Sequence, residues 1–345
     1  MPHSAILGIG TAVPDHGFEQ MDICAGLEST FNNRRAPAVF RATDVEKRHI
    51  VHETLDWYAA NPSNSIRLEA YMTYAPPLGI KAVQQALEQA ELTPADIDTF
   101  IVASCTGVDC PGVDVKIANT LNMSPYLRRA TIVGMGCQAL MPSLYQAGNN
   151  VTVNPHSKTL ILTVELCTLH IQHDRGIKNI LGSALFSDGA SAVVVGNGTN
   201  GGLRLLDTLT YSDYQTPEEL SFHPGDTGYK IFLSGQIPDL LQVQVPPLVE
   251  QVLYRNKLQL TDIKHWAIHP GGMKILDNLE QVLELDNNEL QYSRSILREY
   301  GNMSSATLLF VLERIIQRAQ PIPGDYGIML GFGPGLTIEV GLLQW

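Results

Sequence analysis

Apolar residues in this chain gather into short runs joined by amphipathic stretches, and two long passages repeat the same order. The first is ALEQAELTPADIDTFIVASCTG, Ala86 to Gly107, and the second is VLYRNKLQLTDIKHWAIHPGG, Val252 to Gly272. Each carries an amphipathic helix, a Leu, an Asp-Ile pair and a short apolar run. Leu92, Asp96 and Ile97 superimpose on Leu258, Asp262 and Ile263, and Phe100-Ile101-Val102 matches Trp266-Ala267-Ile268. Apolar runs of this length bounded by glycine predict buried strands.

The repetition continues downstream. RATIVGMGCQALMPSLYQAG places Cys137 where a strand gives way to a helix over residues 138–147, and REYGNMSSATLLFVLERI places Asn302 at a junction of similar appearance. Each passage then enters another apolar strand, Thr159 to Leu166 or Tyr326 to Gly333. Helix alternating with strand predicts layered α/β architecture. Duplication predicts two pseudo-twofold-related halves, 1–200 and 201–345, sharing one interface. The competing reading is that any two strand–helix units look alike. If the halves are related, their strand ends meet at one central place, where ligand sites of α/β folds lie.

Composition narrows the classes. The 345 residues are 44% hydrophobic and 17% charged, as in a soluble globular protein with a large core. A formal net charge of −12 argues against nucleic acid or an anionic membrane as partner. No basic segment opens the chain as a signal peptide would, and no run of ~18 apolar residues predicts a transmembrane helix. The cysteines, Cys24, Cys105, Cys110, Cys137 and Cys167, are odd in number and scattered. That pattern points to reduced thiols in a cytoplasmic protein, and no close Cys/His set suggests a metal.

Three residues stand out chemically. Most free cysteines are small buried hydrophobes, but Cys137 opens a helix, where the dipole favours thiolate. His269 ends an apolar run before Pro270-Gly271-Gly272; a packed, hydrogen-bonded histidine is the plainer reading. Asn302 precedes a helix and suits a cap as well as a catalytic amide. The glycines of GFGPGLT, Gly331 to Thr337, permit close backbone approach, and the segment lacks a phosphate-loop lysine.

Together these segments resemble the type III polyketide synthases, the chalcone synthase-like family with the thiolase fold. The resemblance runs from GTAVPDH to GFGPGLTIE. It rests on CTGVDCPG, GMGCQAL, LGSALFSDGASAVVVG, HPGGMKIL, YGNMSSA and GFGPG, and VELCTL with the short N-terminus is similar to the bacterial branch. It implies a layered αβαβα fold, a homodimer and a Cys137–His269–Asn302 triad. The substrates it implies are an acyl-CoA starter and malonyl-CoA, with no metal or redox cofactor. Cys137 would carry the acyl group, while His269 and Asn302 would donate to the thioester oxygen. Such oxyanion donors are worth ~3 kcal/mol each.

The same resemblance places Phe186 as a gatekeeper and Ile231 where a second gatekeeper phenylalanine is usual. Cys105, His170, Gly182, Phe222 and Ser304 fall at pocket positions, and Cys110 matches a loop residue that reaches the partner subunit's cavity. The Ile231 exchange points to a longer acyl starter and an alkylresorcinol or alkylpyrone product. Arg35, Arg41, Lys47 and Arg48 are the candidates for coenzyme A phosphates. Gln138-Ala139-Leu140 departs from the small, Gly-containing stretch usual after the nucleophile. The alternatives are a ketoacyl-acyl-carrier-protein synthase III making a single condensation, a Cys-His-Asn thiol hydrolase, and a non-catalytic scaffold.

Overall fold

The structure, a computed structural model, describes residues 4–198, 202–286 and 288–345. The division expected between residues 200 and 201 falls outside the described residues. The strands are β1 (Ser4–Ala12), β2 (His16–Glu19), β3 (Lys47–Ile50), β4 (Thr99–Ala103), β5 (Arg128–Ile132), β6 (Thr159–Leu166) and β7 (Asp188–Asn197). They continue with β8 (Leu203–Ser212), β9 (Leu220–Gly225), β10 (Gly228–Leu233), β11 (Ile263–Ile268), β12 (Tyr326–Gly333) and β13 (Thr337–Gln344).

One mixed sheet has the order β11-β12-β13-β8-β1-β7-β6-β4-β5. Outward from the β8/β1 seam, its two sides repeat. On one side β1, β7 and β6 run antiparallel in turn and β4 lies parallel to β6. On the other, β8, β13 and β12 run antiparallel in turn and β11 lies parallel to β12. The aspartates of the sequence repeat explain why β4 and β11 begin alike. Asp96 with Thr93, and Asp262 with Gln259, close capping boxes on short 3-10 turns just before each strand. Each box satisfies backbone N–H groups that would otherwise lack partners. β5, on the edge beside β4, has no counterpart across the seam.

Strand alternation sorts side chains into layers. Phe100, Val102, Leu160 and Leu162 pack against helix Asn64–Gln89. Ile328, Leu330, Ile338 and Val340 pack against helix Ile237–Arg255. The opposite faces, with Ile101, Ile161, Val193 and Met329, close on two central helices, Leu140–Val153 and Thr307–Ala319. Thr307 to Leu312 is buried throughout because sheet covers both sides of that helix. The result is the αβαβα layering expected. No helix among the described residues is long and apolar enough to cross a membrane.

Two local expectations are corrected. The helix after Cys137 begins at Leu140, because Gly136–Gln138 first closes as a 3-10 turn. Asn302 is preceded by helix Gln291–Tyr300, which ends at Gly301 with φ +73°, so no strand leads into it.

Glu339 on β13 faces the central layer and accepts a hydrogen bond from Thr210 Oγ1 at 2.7 Å. Burial pushes its carboxyl up to about 7. Because the folded pKa lies above the unfolded value of ~4.3, the folded state binds more protons between these limits. This group's contribution to stability therefore falls as pH rises through that window. Glu339→Gln removes the effect: melting temperatures should be similar at pH 4.5, with the variant progressively more stable than wild type up to pH 8.

Candidate active site

Cys137 lies in the turn between β5 and helix Leu140–Val153, and the chain reaches it through two left-handed glycines, Gly134 and Gly136. The turn docks on the end of β12. A Cβ on Gly136 would lie 2.5 Å from Pro334 Cδ, and one on Gly333 would lie 2.7 Å from Gln138 Cγ and 2.8 Å from Met135 O. The glycines of GFGPG thus provide the close approach read from the sequence. They also accommodate Gln138, the departure noted after Cys137.

Asn302 is buried beside Phe186. Its N–H donates to Leu185 O and its carbonyl accepts from Ser187 N, both at 2.9 Å, forming an isolated parallel bridge. Asn302 Oδ1 accepts from Ser304 N at 2.8 Å. The amide oxygen therefore caps the Ser304–Ala306 turn, and the NH2 group remains for another acceptor. Cap and donor roles coexist in one side chain. Burial pushes the Cys137 thiol up to about 12, opposed by hydrogen bonds from Ser304 and Asn302. Burial thus opposes the thiolate that the helix start favours.

His269 continues β11. Its N–H donates to Leu330 O at 2.8 Å, which sets it in register beside Gly331. Gly331 faces the Cys137 turn: a Cβ there would lie 3.8 Å from Gln138 Cα. The imidazole is buried, packs against Phe332, and has no hydrogen-bond partner at either ring nitrogen among the described residues. Burial pushes it down to about 4, so it is neutral. Unpartnered buried polar atoms are costly and rare.

A small cavity opens onto Cys137. Of the pocket positions expected, Cys105, Phe186, Phe222, Ile231 and Ser304 line it. Gly182 and His170 line a second small cavity beyond a shared wall that includes Phe186 and Ile231. Cys110 is exposed on its loop. Arg35, Arg41 and Lys47 are exposed as well. Arg48 requires correction as a phosphate ligand. It is fully buried, donating to Ser183 O, Phe186 O and Gln20 Oε1, so its charge serves internal carbonyls.

Sequence reasoning missed Cys167 and Tyr229, which line both cavities, and Glu165 beneath the first. Glu165 is fully buried and accepts from Ser305 Oγ at 2.5 Å, Thr106 Oγ1 at 2.8 Å and the Cys105 thiol at 3.3 Å. Desolvation raises its pKa. A lone carboxylate in the apolar run TLILTVEL was the available signal; nothing in the sequence marks Tyr229.

An αβαβα fold with a buried cysteine where its halves meet defines the thiolase-like condensing enzymes. The match is more specific than that class. The chalcone and stilbene synthase N-terminal domain matches residues 2–199, and the C-terminal domain matches residues 214–344. A 1,3,6,8-tetrahydroxynaphthalene synthase of Streptomyces peucetius is 31% identical, over 99% of this chain and 93% of that one. The α-pyrone synthesis polyketide synthase-like Pks18 of Mycobacterium tuberculosis is 29% identical, over 97% and 90%. The crystal structure of the Streptomyces coelicolor tetrahydroxynaphthalene synthase superimposes with TM-score 0.92 at 29% identity, covering 99% of both chains. The chain belongs to the chalcone and stilbene synthase family, the type III polyketide synthases, and is a decarboxylating, condensing acyltransferase. That assignment sets aside the single-condensation, hydrolase and scaffold alternatives.

Gly333→Ala tests the docking of the Cys137 turn. Its Cβ meets backbone at Met135 O, so the turn must shift, at a cost of about 1–3 kcal/mol. Condensing activity should fall at least about tenfold while the circular dichroism spectrum stays native.

Proposed function

We propose that Cys137, His269 and Asn302 extend an apolar acyl-CoA starter by repeated condensation with malonyl-CoA, closing the product as an alkylpyrone or alkylresorcinol. The observation that carries this reading is a buried thiol beside an oriented carboxamide, with an unpartnered imidazole in register beside their turn. The starter class is supported by a cavity whose lining residues include no charged side chain.

As Cys137 sulfur attacks the starter thioester, its proton passes to a ring nitrogen of His269 and then to the departing coenzyme A thiol. The acyl group is left on sulfur. Malonyl-CoA then places its thioester oxygen before the His269 N–H and the Asn302 NH2. Its carbon–carboxylate bond breaks, CO2 leaves, and the electron pair becomes an enolate whose oxygen the two donors stabilise. The enolate carbon attacks the acyl thioester, a carbon–carbon bond forms, and Cys137 thiolate departs and takes up a proton from water. The lengthened chain, now on coenzyme A, reloads by the first step. Attack of an enol oxygen on the thioester gives a pyrone; aldol closure gives a resorcinol.

Arg35, Arg41 and Lys47 are the cations proposed for the coenzyme A phosphates. The outer edge of β5, followed by exposed Val133, is an unprotected strand edge that a second copy would cover. We propose a cytoplasmic homodimer, with Cys110 reaching its partner.

Incubation with malonyl-CoA and a panel of acyl-CoA starters, read by mass spectrometry, tests the reading. Fatty acyl starters should give pyrones or resorcinols; an aromatic product from malonyl-CoA alone would overturn the starter assignment. Cys137→Ala should abolish these products yet still release CO2. Asn302→Ala should slow decarboxylation by about 10²–10³-fold. In His269→Ala, acyl loading has only the thiolate fraction of a thiol near 12. Its rate should therefore climb about tenfold per pH unit from pH 6 to 9, whereas wild-type loading varies far less.

A further inference from the structure

The hairpin β9–β10 belongs to no larger sheet, and its two faces meet different surroundings. Tyr229 and Ile231 of β10 line the cavity at Cys137. Side chains alternate across a strand, so Lys230 and Phe232 point the other way, and both are exposed. Lys178, in the first turn of helix Ile177–Leu185, holds its Nζ 4.1 Å from the centroid of the Phe232 ring. Ile177 beside it is 41% exposed and Phe232 is 38% exposed. Asn33 Nδ2 donates to Arg175 O at 2.7 Å, which brings the exposed Arg34 and Arg35 against the loop before that helix. Segments 32–35, 173–178 and 220–233 therefore adjoin on the outside of the molecule.

Their joint surface is basic on an acidic protein. Arg34, Arg35, Arg175, Lys178 and Lys230 are all exposed. None of the five forms an ion pair among the described residues. The acidic residues of the three segments are Asp174 and Asp226. Asp174 is occupied locally, accepting from Gly176 N–H at 2.6 Å and Asn179 Nδ2 at 2.7 Å. The net charge of −12 weighs against adsorption to an anionic surface by the molecule as a whole. Exposed charges further apart than ~8 Å are screened at physiological salt, so the local cluster decides what docks here. Clustered Lys and Arg with apolar side chains among them match an anionic bilayer: the cations meet headgroup phosphates and the apolar groups enter the interface. Ile177 and Phe232 line neither cavity of the site, so they are free to do so.

We infer that this face docks on an anionic lipid bilayer, which places the hairpin between the membrane and the cavity at Cys137. Docking stands on the surface alone. Delivery of an apolar acyl-CoA starter from the bilayer rests on the polyketide-forming reading above. Arg35 is shared with the cations proposed for coenzyme A, so the tests leave it intact.

Co-sedimentation of the full-length enzyme with vesicles decides the matter. Wild type should bind an equimolar mixture of phosphatidylcholine and phosphatidylglycerol, release as salt is raised, and ignore phosphatidylcholine alone. Lys178→Glu combined with Lys230→Glu should weaken binding at least about tenfold, and Phe232→Ser should weaken it severalfold. Lys257→Glu combined with Lys264→Glu makes the same charge change elsewhere and should bind like wild type. Absence of wild-type binding, or equal losses in the two double variants, would overturn the docking face. Displacement from vesicles by coenzyme A alone would make the face a nucleotide site, and binding to polyglutamate but not to vesicles would assign it to an acidic protein; either overturns the lipid assignment. For delivery, the rate with a long-chain acyl-CoA held in mixed vesicles, relative to soluble hexanoyl-CoA, should fall severalfold in the Lys178→Glu, Lys230→Glu variant. An unchanged ratio would overturn delivery. A wild-type enzyme that condenses neither substrate would fail the earlier reading and leave the vesicle result standing.

Discussion

The structure depends on one close contact between the halves of the chain: the turn carrying Cys137 lies directly against the end of β12. Gly136, Gly331 and Gly333 have no Cβ there, which lets Pro334, Met141 and Gln138 close onto their backbone. This contact seats Cys137 from the first half beside His269, which extends the strand neighbouring β12 in the second. It also accounts for glycines at widely separated positions, since each removes a Cβ from the same crowded junction. Packing of this density transmits displacement, so a small shift of β12 moves the sulfur.

Burial at that junction governs the chemistry. Thiol and imidazole both leave water, and desolvation disfavours the charged form of each. Both shifts oppose a charged pair at rest. The same desolvation surrounds Glu165, but five neighbouring groups donate to it from Ser305, Thr106, Ser104 and Cys105. Arg48 shows the complementary solution. A fully buried cation is retained because it ties carbonyls of Ser183 and Phe186 to Gln20, fixing the segment that carries the gate.

Much of this was legible in the residues because local chemistry wrote it there. The paired Asp-Ile signals mark real capping boxes, and the apolar runs after them are β4 and β11. The thiol and the amide were found for their positions beside helix starts. What was not legible arises from long-range packing. Arg48 sits in a stretch rich in charge and looks like its neighbours, yet only the fold decides that it turns inward. The helix start after Cys137 was placed two residues early because the left-handed glycines add a tight turn that periodicity does not register. The pocket assignments came through family resemblance, and Tyr229 came through neither route, since a detached hairpin brings it to the cavity.

The backbone bridge between Phe186 and Asn302 has a consequence for how this scaffold diversifies. Phe186 and Asn302 are linked through a main-chain bridge, so moving one segment to admit a bulkier guest would drag the other out of alignment. Substrate scope is then free to drift by exchanging the ring at 186 for another group, but closed to insertions or deletions beside it. The hairpin opposite is held by the Gly335 N–H on Leu220 O and by His170 on Tyr229 N–H, so its length is constrained as well, and new specificities arise there too by exchange of side chains.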